Sequence, residues 1–332
     1  MKKLLVALSV MLCMVSCKSF KVNVELENST GKTVYLQRYE GTDLKTLDSV
    51  VAKDNTAVFK VRQNKNLDAY CLMIKGWRRP ITFFADNQDV TIVGDYQKVN
   101  AIEIQASESQ NKLTDFMKMA NDIEDDKDLY YFVLDFIKTN LDNPISPYVA
   151  YRYKWLFEQG DLETIYEVLP ENMQCAYKVM LADYIDGLKL TSSGNPCLDF
   201  TQKDVNGNDF TLSSVVGQSK IIILDFWASW CPDCRKENPQ LVALYNEFKD
   251  KGLDIVSVSL DADEAAWKKA IADDNLSWPH HVSDLKGWGN SVAEMYRIAF
   301  IPQNCIIDEN GIIFERNVPL EKIENLLLSV LN

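Results

Sequence analysis

Leu224-Asp225-Phe226-Trp227-Ala228-Ser229-Trp230-Cys231-Pro232-Asp233-Cys234-Arg235-Lys236-Glu237-Asn238-Pro239 is the stretch from which the fold can be read. A continuous apolar run leads into it from Lys220 to Phe226, the pattern of a strand buried on both faces. Beyond it, Leu241, Leu244, Tyr245 and Phe248 recur on one face of a helix. Asp254–Leu260 reads as a second strand, so the segment predicts a β-α-β unit with parallel strands and a right-handed crossover. The two cysteines therefore sit where a strand gives way to a helix. A helix N-terminus aims free N–H groups and the positive end of its dipole at the first sulfur, which lowers a thiol pKa from about 8.5. The two residues between Cys231 and Cys234 let the second sulfur reach the first. Cys231 opens the helix and is expected to be exposed, whereas Cys234 lies one turn in and is expected to be shielded. This makes Cys231 the candidate nucleophile and Cys234 the candidate resolving thiol.

A lone C-x-x-C also occurs as half of a zinc site, which normally takes four ligands. The only histidines, His280 and His281, are adjacent and lack the spacing of a zinc pair. The expectation is no metal and no cofactor beyond the redox-active disulfide, with both histidines in a loop at the rim of the site. Of the eight cysteines, Cys71, Cys175, Cys197 and Cys305 lie in apolar surroundings and read as structural thiols. Cys305 is the one to follow in space, because it lies three residues after Pro302.

Outward from this core, Ala265–Asp273 and Leu320–Leu331 read as helices. Gln303–Ile307 and Gly311–Glu315 flank the hairpin turn Asp308-Glu309-Asn310-Gly311. The breaker Ser192-Ser193-Gly194-Asn195-Pro196 marks where this α/β domain begins, giving residues 191–332. Residues 107–190 carry helical spacing, as in Leu113, Phe116, Met117 and Ala120, and read as a helical linker domain whose aromatics are packing. Residues 17–106 alternate with a period of two, as in Val22, Val24 and Leu26, and suggest a small β-sandwich. Residues 1–16 have the form of an export signal: Lys2 and Lys3, then an apolar run from Leu4 to Val15, too short to span a membrane. Export would allow disulfides to persist. The chain has 332 residues and a net charge of −13, which argues against a nucleic-acid partner.

Met14-Val15-Ser16-Cys17 resembles the lipobox of bacterial lipoproteins, which implies lipidation of Cys17, a membrane anchor and a location in the cell envelope facing the periplasm. Residues 17–106 loosely resemble the DUF4369 domains found ahead of thioredoxin modules. Residues 194–332 resemble the TlpA/ResA-like branch of the thioredoxin superfamily, through the quoted run, Val256–Asp261, Trp267-Lys268-Lys269, Ile301-Pro302 and Ile307–Gly311. The implied fold class is an α/β thioredoxin fold, preceded by a β-sandwich-like domain and a helical segment.

The implied activity is protein-disulfide oxidoreduction. Its partners would be disulfide-bearing exported proteins, among them apocytochromes awaiting haem, and a membrane thiol electron donor. The resemblance makes Pro302 a cis-proline facing the disulfide and Ile301 a contact for substrate backbone. It makes Asp225 the buried acid that deprotonates Cys234 and Glu237 an acid that tunes the site. Trp227 and Trp230 would shield the disulfide and meet partners. Pro232 and Asp233 depart from the common pattern of proline directly before the second cysteine. Pro232 has no N–H to give the Cys231 thiolate and Asp233 adds negative charge, so a reducing or moderate couple is expected. Two other functions compete. A thiol peroxidase of the AhpC/TSA type shares the fold, but its P-x₃-[ST]-x₂-C run fails ahead of Cys231. An envelope binding protein with an accessory redox domain would put the main work in residues 20–190.

Overall fold

The computed structural model describes residues 18–63, 68–77 and 80–331. The expected signal segment and Cys17 lie outside them. Two compact units are present: one runs to Arg152 and includes Ile165–Met180, and the other comprises Tyr153–Thr164 and the chain from Leu181 onward. The helical stretch 107–190 thus divides between the two units. Among the described residues no helix is long and apolar enough to cross a membrane.

The first unit is built on two four-stranded sheets. One has the order β4-β1-β7-β8, using β1 (Ser19–Glu27), β4 (Thr56–Arg62), β7 (Val90–Asp95) and β8 (Glu103–Gln105). The other has the order β3-β2-β5-β6, using β2 (Thr33–Glu40), β3 (Asp43–Val51), β5 (Ala69–Ile74) and β6 (Ile81–Phe84). Alternation in β1 buries Phe20, Val22, Val24 and Leu26. They share one core with Val34, Leu36, Leu72 and Phe83 of the second sheet, the arrangement of a β-sandwich. Helices α1 (Glu108–Asn121), α2 (Asp126–Thr139) and α3 (Ile145–Arg152) follow. Ser107 and Asp125 cap the first two by accepting backbone N–H groups. Phe116 packs against Phe132 and Phe136, with ring centroids 5.2 and 4.2 Å apart, so these aromatics are core and not a ligand groove. Helices α4 (Gln159–Val168) and α5 (Ala176–Leu190) complete the helical stretch.

The second unit holds a seven-stranded sheet of order β10-β9-β13-β12-β11-β14-β15. Its strands are β9 (Thr201–Asp204), β10 (Asp209–Thr211), β11 (Ile221–Trp227), β12 (Leu253–Ser259), β13 (His280–Ser283), β14 (Gln303–Asp308) and β15 (Ile313–Arg316). Helices α6 (Pro232–Phe248), α7 (Glu264–Asp273), α8 (Ser291–Met295) and α9 (Leu320–Leu331) accompany it. β11 pairs parallel with β12 and antiparallel with β14. All seven residues of β11 are buried, as its unbroken apolar run predicts, and Asp225 is the one charged residue among them. β13 corrects one expectation. His280 and His281 are not rim residues of a loop but part of the sheet. His281 is buried and stacks on Trp278, and burial pushes its pKa down to about 4. His280 meets Asp254 at 3.2 Å. Four residues behind a proline carry too short a pattern to be read as a strand.

Candidate redox site

Cys231 and Cys234 form a disulfide with Cα atoms 5.3 Å apart. Cys231 is the N-cap of α6 and Pro232 its first residue, the position where a missing N–H costs nothing to the helix. The Cys234 N–H points at the Cys231 sulfur at 3.1 Å, so the capping acceptor of this helix is the sulfur itself. Across the site, the Ile301–Pro302 peptide is cis, and the Ile301 carbonyl oxygen lies 3.8 Å from the Cys231 sulfur. The loop holding that peptide is braced by Gln303, which accepts the Ala299 N–H at 3.0 Å and donates to Asn317 at 2.8 Å.

The expected contrast in exposure is nearly absent. Cys231 is 4% exposed and Cys234 1%. The cis-proline loop approaches the first sulfur and covers what the helix start alone leaves open. Trp227 is also not a surface group; it is core. Trp230 is 51% exposed, and its ring lies 6.2 Å from that of Trp288, itself 45% exposed. Pro232 and Asp233 are exposed, while Ile301 and Pro302 are half-buried.

Asp225 is buried, and burial pushes its pKa up to about 7, with the nearby Glu237 adding to the rise and the Ser257 hydrogen bond opposing it. Ser257 donates to the carboxylate at 2.9 Å and accepts from the Trp278 indole N–H at 3.0 Å. Glu237 is half-buried; burial raises its pKa, and the negative charges of Asp233 and Glu321 act in the same direction. Asp225, Glu237 and Asp233 therefore form an acidic surround to the dithiol side of α6.

Register separates Cys305 from this group. It pairs with Leu224, while Asp225 pairs with Asn304 and Ser257. Side chains alternate along a strand, so Cys305 and Asp225 face opposite sides of the sheet. The Asp225 side is that of α6, since Tyr245 of α6 packs on Trp278 with centroids 5.7 Å apart. Cys305 is buried, and burial raises its thiol pKa to about 11. Cys71 and Cys175 are buried in the first unit, with thiols pushed by burial to about 11, and Cys197 is half-buried. Among the described residues no cluster of three or more His, Cys, Asp or Glu side chains is placed to hold a metal ion.

Sequence reading alone misses how the loop before Cys231 is held. Asp261 accepts from the Ser229 N–H at 2.9 Å and the Ser229 hydroxyl at 2.6 Å, and also from the Ser259 hydroxyl at 2.7 Å. On the other side Arg235 donates to the Ser229 carbonyl at 3.2 Å while its guanidinium is gripped by both oxygens of Asp274. Asn238 donates to Asp274 at 2.6 Å. Burial alone would raise the Asp274 carboxyl, but the hydrogen bonds from Arg235 and Asn238 outweigh it and hold the pKa below the usual range. Trp288 is missed as well, although an aromatic between Gly287 and Gly289 in a loop is a visible signal.

A thioredoxin-type sheet with a disulfide at a helix N-terminus, opposite a cis-proline, defines a thiol–disulfide exchange protein. By comparison with known proteins the chain belongs to the ResA/TlpA-like thiol–disulfide oxidoreductases of the thioredoxin fold. It is 34% identical over 134 residues to the thiol-disulfide oxidoreductase ResA of Oceanobacillus iheyensis, covering 39% of this chain and 67% of that protein. It is 34% identical over 128 residues to the thioredoxin-like protein YneN of Bacillus subtilis, covering 38% and 71%. Among solved structures, the thioredoxin domain of a thiol-disulfide oxidoreductase from Bacteroides vulgatus matches at 35% identity and a TM-score of 0.39, over 42% of this chain and 99% of that one. Residues 193–316 match the AhpC/TSA family and residues 20–113 match DUF4369, a domain of unknown function.

Proposed function

We propose that this chain is a lipid-anchored, extracytoplasmic reductase of disulfides in exported proteins, working through Cys231 and Cys234. The observation that carries the chemistry is the Cys231 sulfur, set between the Cys234 N–H at 3.1 Å and the Ile301 carbonyl at 3.8 Å. In the reduced protein the Cys231 thiolate attacks one sulfur of a substrate disulfide. A mixed disulfide forms and one substrate thiolate leaves. Cys234 then gives up its proton and attacks the Cys231 sulfur, releasing the second substrate thiol and closing the Cys231–Cys234 disulfide. Two electrons have passed to the substrate, and a membrane thiol donor restores the dithiol. Asp225, with a pKa near 7, is the acceptor for the Cys234 proton. Glu237 raises the pKa of Asp225 through its charge and so tunes that step. Ile301 and Pro302 receive substrate backbone, and Trp230, Pro232 and Asp233 form the contact surface around the sulfur. The anchor rests on the sequence around Cys17, and apocytochromes are one class of substrate for such a reductase.

Among the described residues, the Cys234 N–H is the one backbone donor from the start of α6 that meets the Cys231 sulfur, since Pro232 has none and Asp233 brings negative charge. The couple is therefore reducing to moderate. A dithiol potential more positive than about −150 mV, measured against glutathione, refutes this. The test of the whole reading is trapping. A Cys234→Ser variant expressed with its signal retains substrates as mixed disulfides on Cys231, identified by mass spectrometry, and the protein fractionates with membranes. Recovery of no exported protein on Cys231 sinks the proposal.

The AhpC/TSA match favours a second reading, a thiol peroxidase. In the peroxidatic run the proline and the Ser/Thr positions are held here by Leu224 and Ala228, so the hydroxyl that would bind peroxide is missing. Peroxide consumption by the reduced protein separates the two readings.

A further inference from the structure

Three buried side chains from separate parts of the second unit form one hydrogen-bonded chain that ends on Asp225. The parallel register of β11 and β12 sets Ser257 beside Asp225, and the Ser257 hydroxyl meets the carboxylate at 2.9 Å. Trp278 lies two residues ahead of β13, and its indole N–H meets the same hydroxyl oxygen at 3.0 Å. The aim of that N–H is fixed by its surroundings. Pro279 disfavours a helical backbone at Trp278. The ring packs against Tyr245 of α6, with centroids 5.7 Å apart, and against His281 of β13, at 5.3 Å.

An indole N–H can only donate. The Ser257 oxygen therefore accepts from Trp278 and has its single proton left to give. It gives that proton to Asp225, and such donation favours the ionised carboxylate over the neutral acid. Without the indole N–H the hydroxyl is free to turn and accept from a protonated Asp225, and Ser257 then favours neither form. The indole also polarises the Ser257 O–H and makes it a stronger donor. Burial and Glu237 of α6 push the Asp225 carboxyl up, and the Ser257 hydrogen bond opposes them. Asp233 and Lys236 of α6 and Glu321 of α9 act on Glu237. Asn304 of β14 pairs with Asp225 in register, but its side chain is engaged with the backbone of Val318. Burial keeps His281 neutral above about pH 4. Burial, with Asp254 and Asp250, raises the pKa of the Tyr245 phenol.

We propose that Trp278 is a positioning residue for the redox reaction: it fixes the Ser257 hydroxyl as a donor to Asp225 and so favours the proton-accepting carboxylate. The inference rests on the reading of Asp225 as acceptor for the Cys234 proton and deepens it by naming what sets that acceptor. The test is a pH titration by NMR of the full oxidised chain, labelled at its aspartate carboxyl carbons and its tryptophan indole nitrogens. Asp225→Asn assigns the carboxyl signal and Trp278→Phe the indole signal. If Trp278→Phe does not fold, the indole is assigned by the loss of its titration in Ser257→Ala. The Trp278 indole proton should move downfield with the same midpoint as the Asp225 carboxyl. Ser257→Ala should raise the Asp225 midpoint by about one pH unit and stop the indole from following it. Trp278→Phe should raise the midpoint by roughly half a unit, and leave it unmoved when Ser257→Ala is already present. A residue that only packs would lower stability and leave the midpoint in place. If none of the seven indole signals follows the Asp225 carboxyl, the inference is overturned with no substitution at Trp278. A midpoint unmoved by Trp278→Phe overturns it as well. Resolution of a mixed disulfide on Cys231, followed against pH, tests the reading beneath. Its rise should be displaced to higher pH in Trp278→Phe by as much as the Asp225 midpoint. A displaced midpoint with an undisplaced rate profile leaves the hydrogen-bonded chain standing and overturns Asp225 as acceptor of the Cys234 proton.

Discussion

The substitution Asp225→Asn should make the protein more stable at pH 8 and leave it no more stable at pH 4. Asp225 is buried in the central strand, where burial raises its pKa from 3.8 to about 7. Below pH 4 the carboxyl is protonated in both folded and unfolded chains and costs nothing. Between pH 4 and 7 the unfolded chain ionises while the folded one resists, so stability falls as pH rises and the loss is complete above 7. At about 1.4 kcal/mol per pKa unit the whole loss is about 4 kcal/mol, and relaxation around the charged group leaves about 2–4. The asparagine side chain keeps an oxygen to accept the Ser257 hydroxyl, which sits at 2.9 Å from the native carboxylate, but does not ionise. Its added N–H donor costs up to about 1 kcal/mol, enough to cancel the gain at pH 4. Urea unfolding of the oxidised full-length chain from pH 4 to 8, followed by tryptophan fluorescence, measures this directly, since six of the seven tryptophans lie in the second unit. The wild type should lose about 2–4 kcal/mol more than the variant across that range. Parallel stability curves would overturn the argument, because they would mean that Asp225 ionises as readily inside the sheet as outside it. The same substitution should slow resolution of a mixed disulfide at pH 7 by about tenfold or more, the scale of lost general-base catalysis.

Asp274→Ala releases Arg235 from its clamp and should cost about 1–2 kcal/mol of stability in urea unfolding and reduce exchange with protein disulfides, because the Ser229 carbonyl loses its anchored donor. Trp288→Ala removes one ring of the exposed pair and should raise KM for protein disulfides several-fold while leaving reduction of a small disulfide unchanged. Cys305→Ala should keep full turnover, since its side chain faces away from the Asp225 side of the sheet, and lose about 1 kcal/mol of stability as a small cavity.

Much of the site was legible because it is local. Cys231, Cys234 and the strand-to-helix switch lie within one short run, and spacing alone puts the first cysteine at the helix cap. The role of Asp225 follows from the resemblance, but its pKa is high because the assembled sheet buries it, with Glu237 adding to the rise, and its partner Ser257 comes from another strand. Trp288 and Asp274 were not assigned roles, because Trp288 lies 58 positions from Trp230 and Asp274 lies 39 from Arg235, and nothing local ties them. The burial of Cys231 is hidden from local sequence for the same reason: its cover comes from the loop at Ile301, 70 residues away.

Local sequence is enough to establish the chemistry of the pair. Its i, i+3 spacing, helix start and proline at the first helical position are set by chain stiffness and local hydrogen bonding, and no distant contact changes them. What surrounds the pair is a matter of tertiary structure. The register of β11 against β12 and β14 puts Asp225 beside Ser257 and turns Cys305 to the other face. The cis-proline loop sets the Ile301 carbonyl 3.8 Å from the Cys231 sulfur across 70 residues of chain. Those arrangements depend on strand pairing and packing between residues far apart in the chain, which local pattern does not encode.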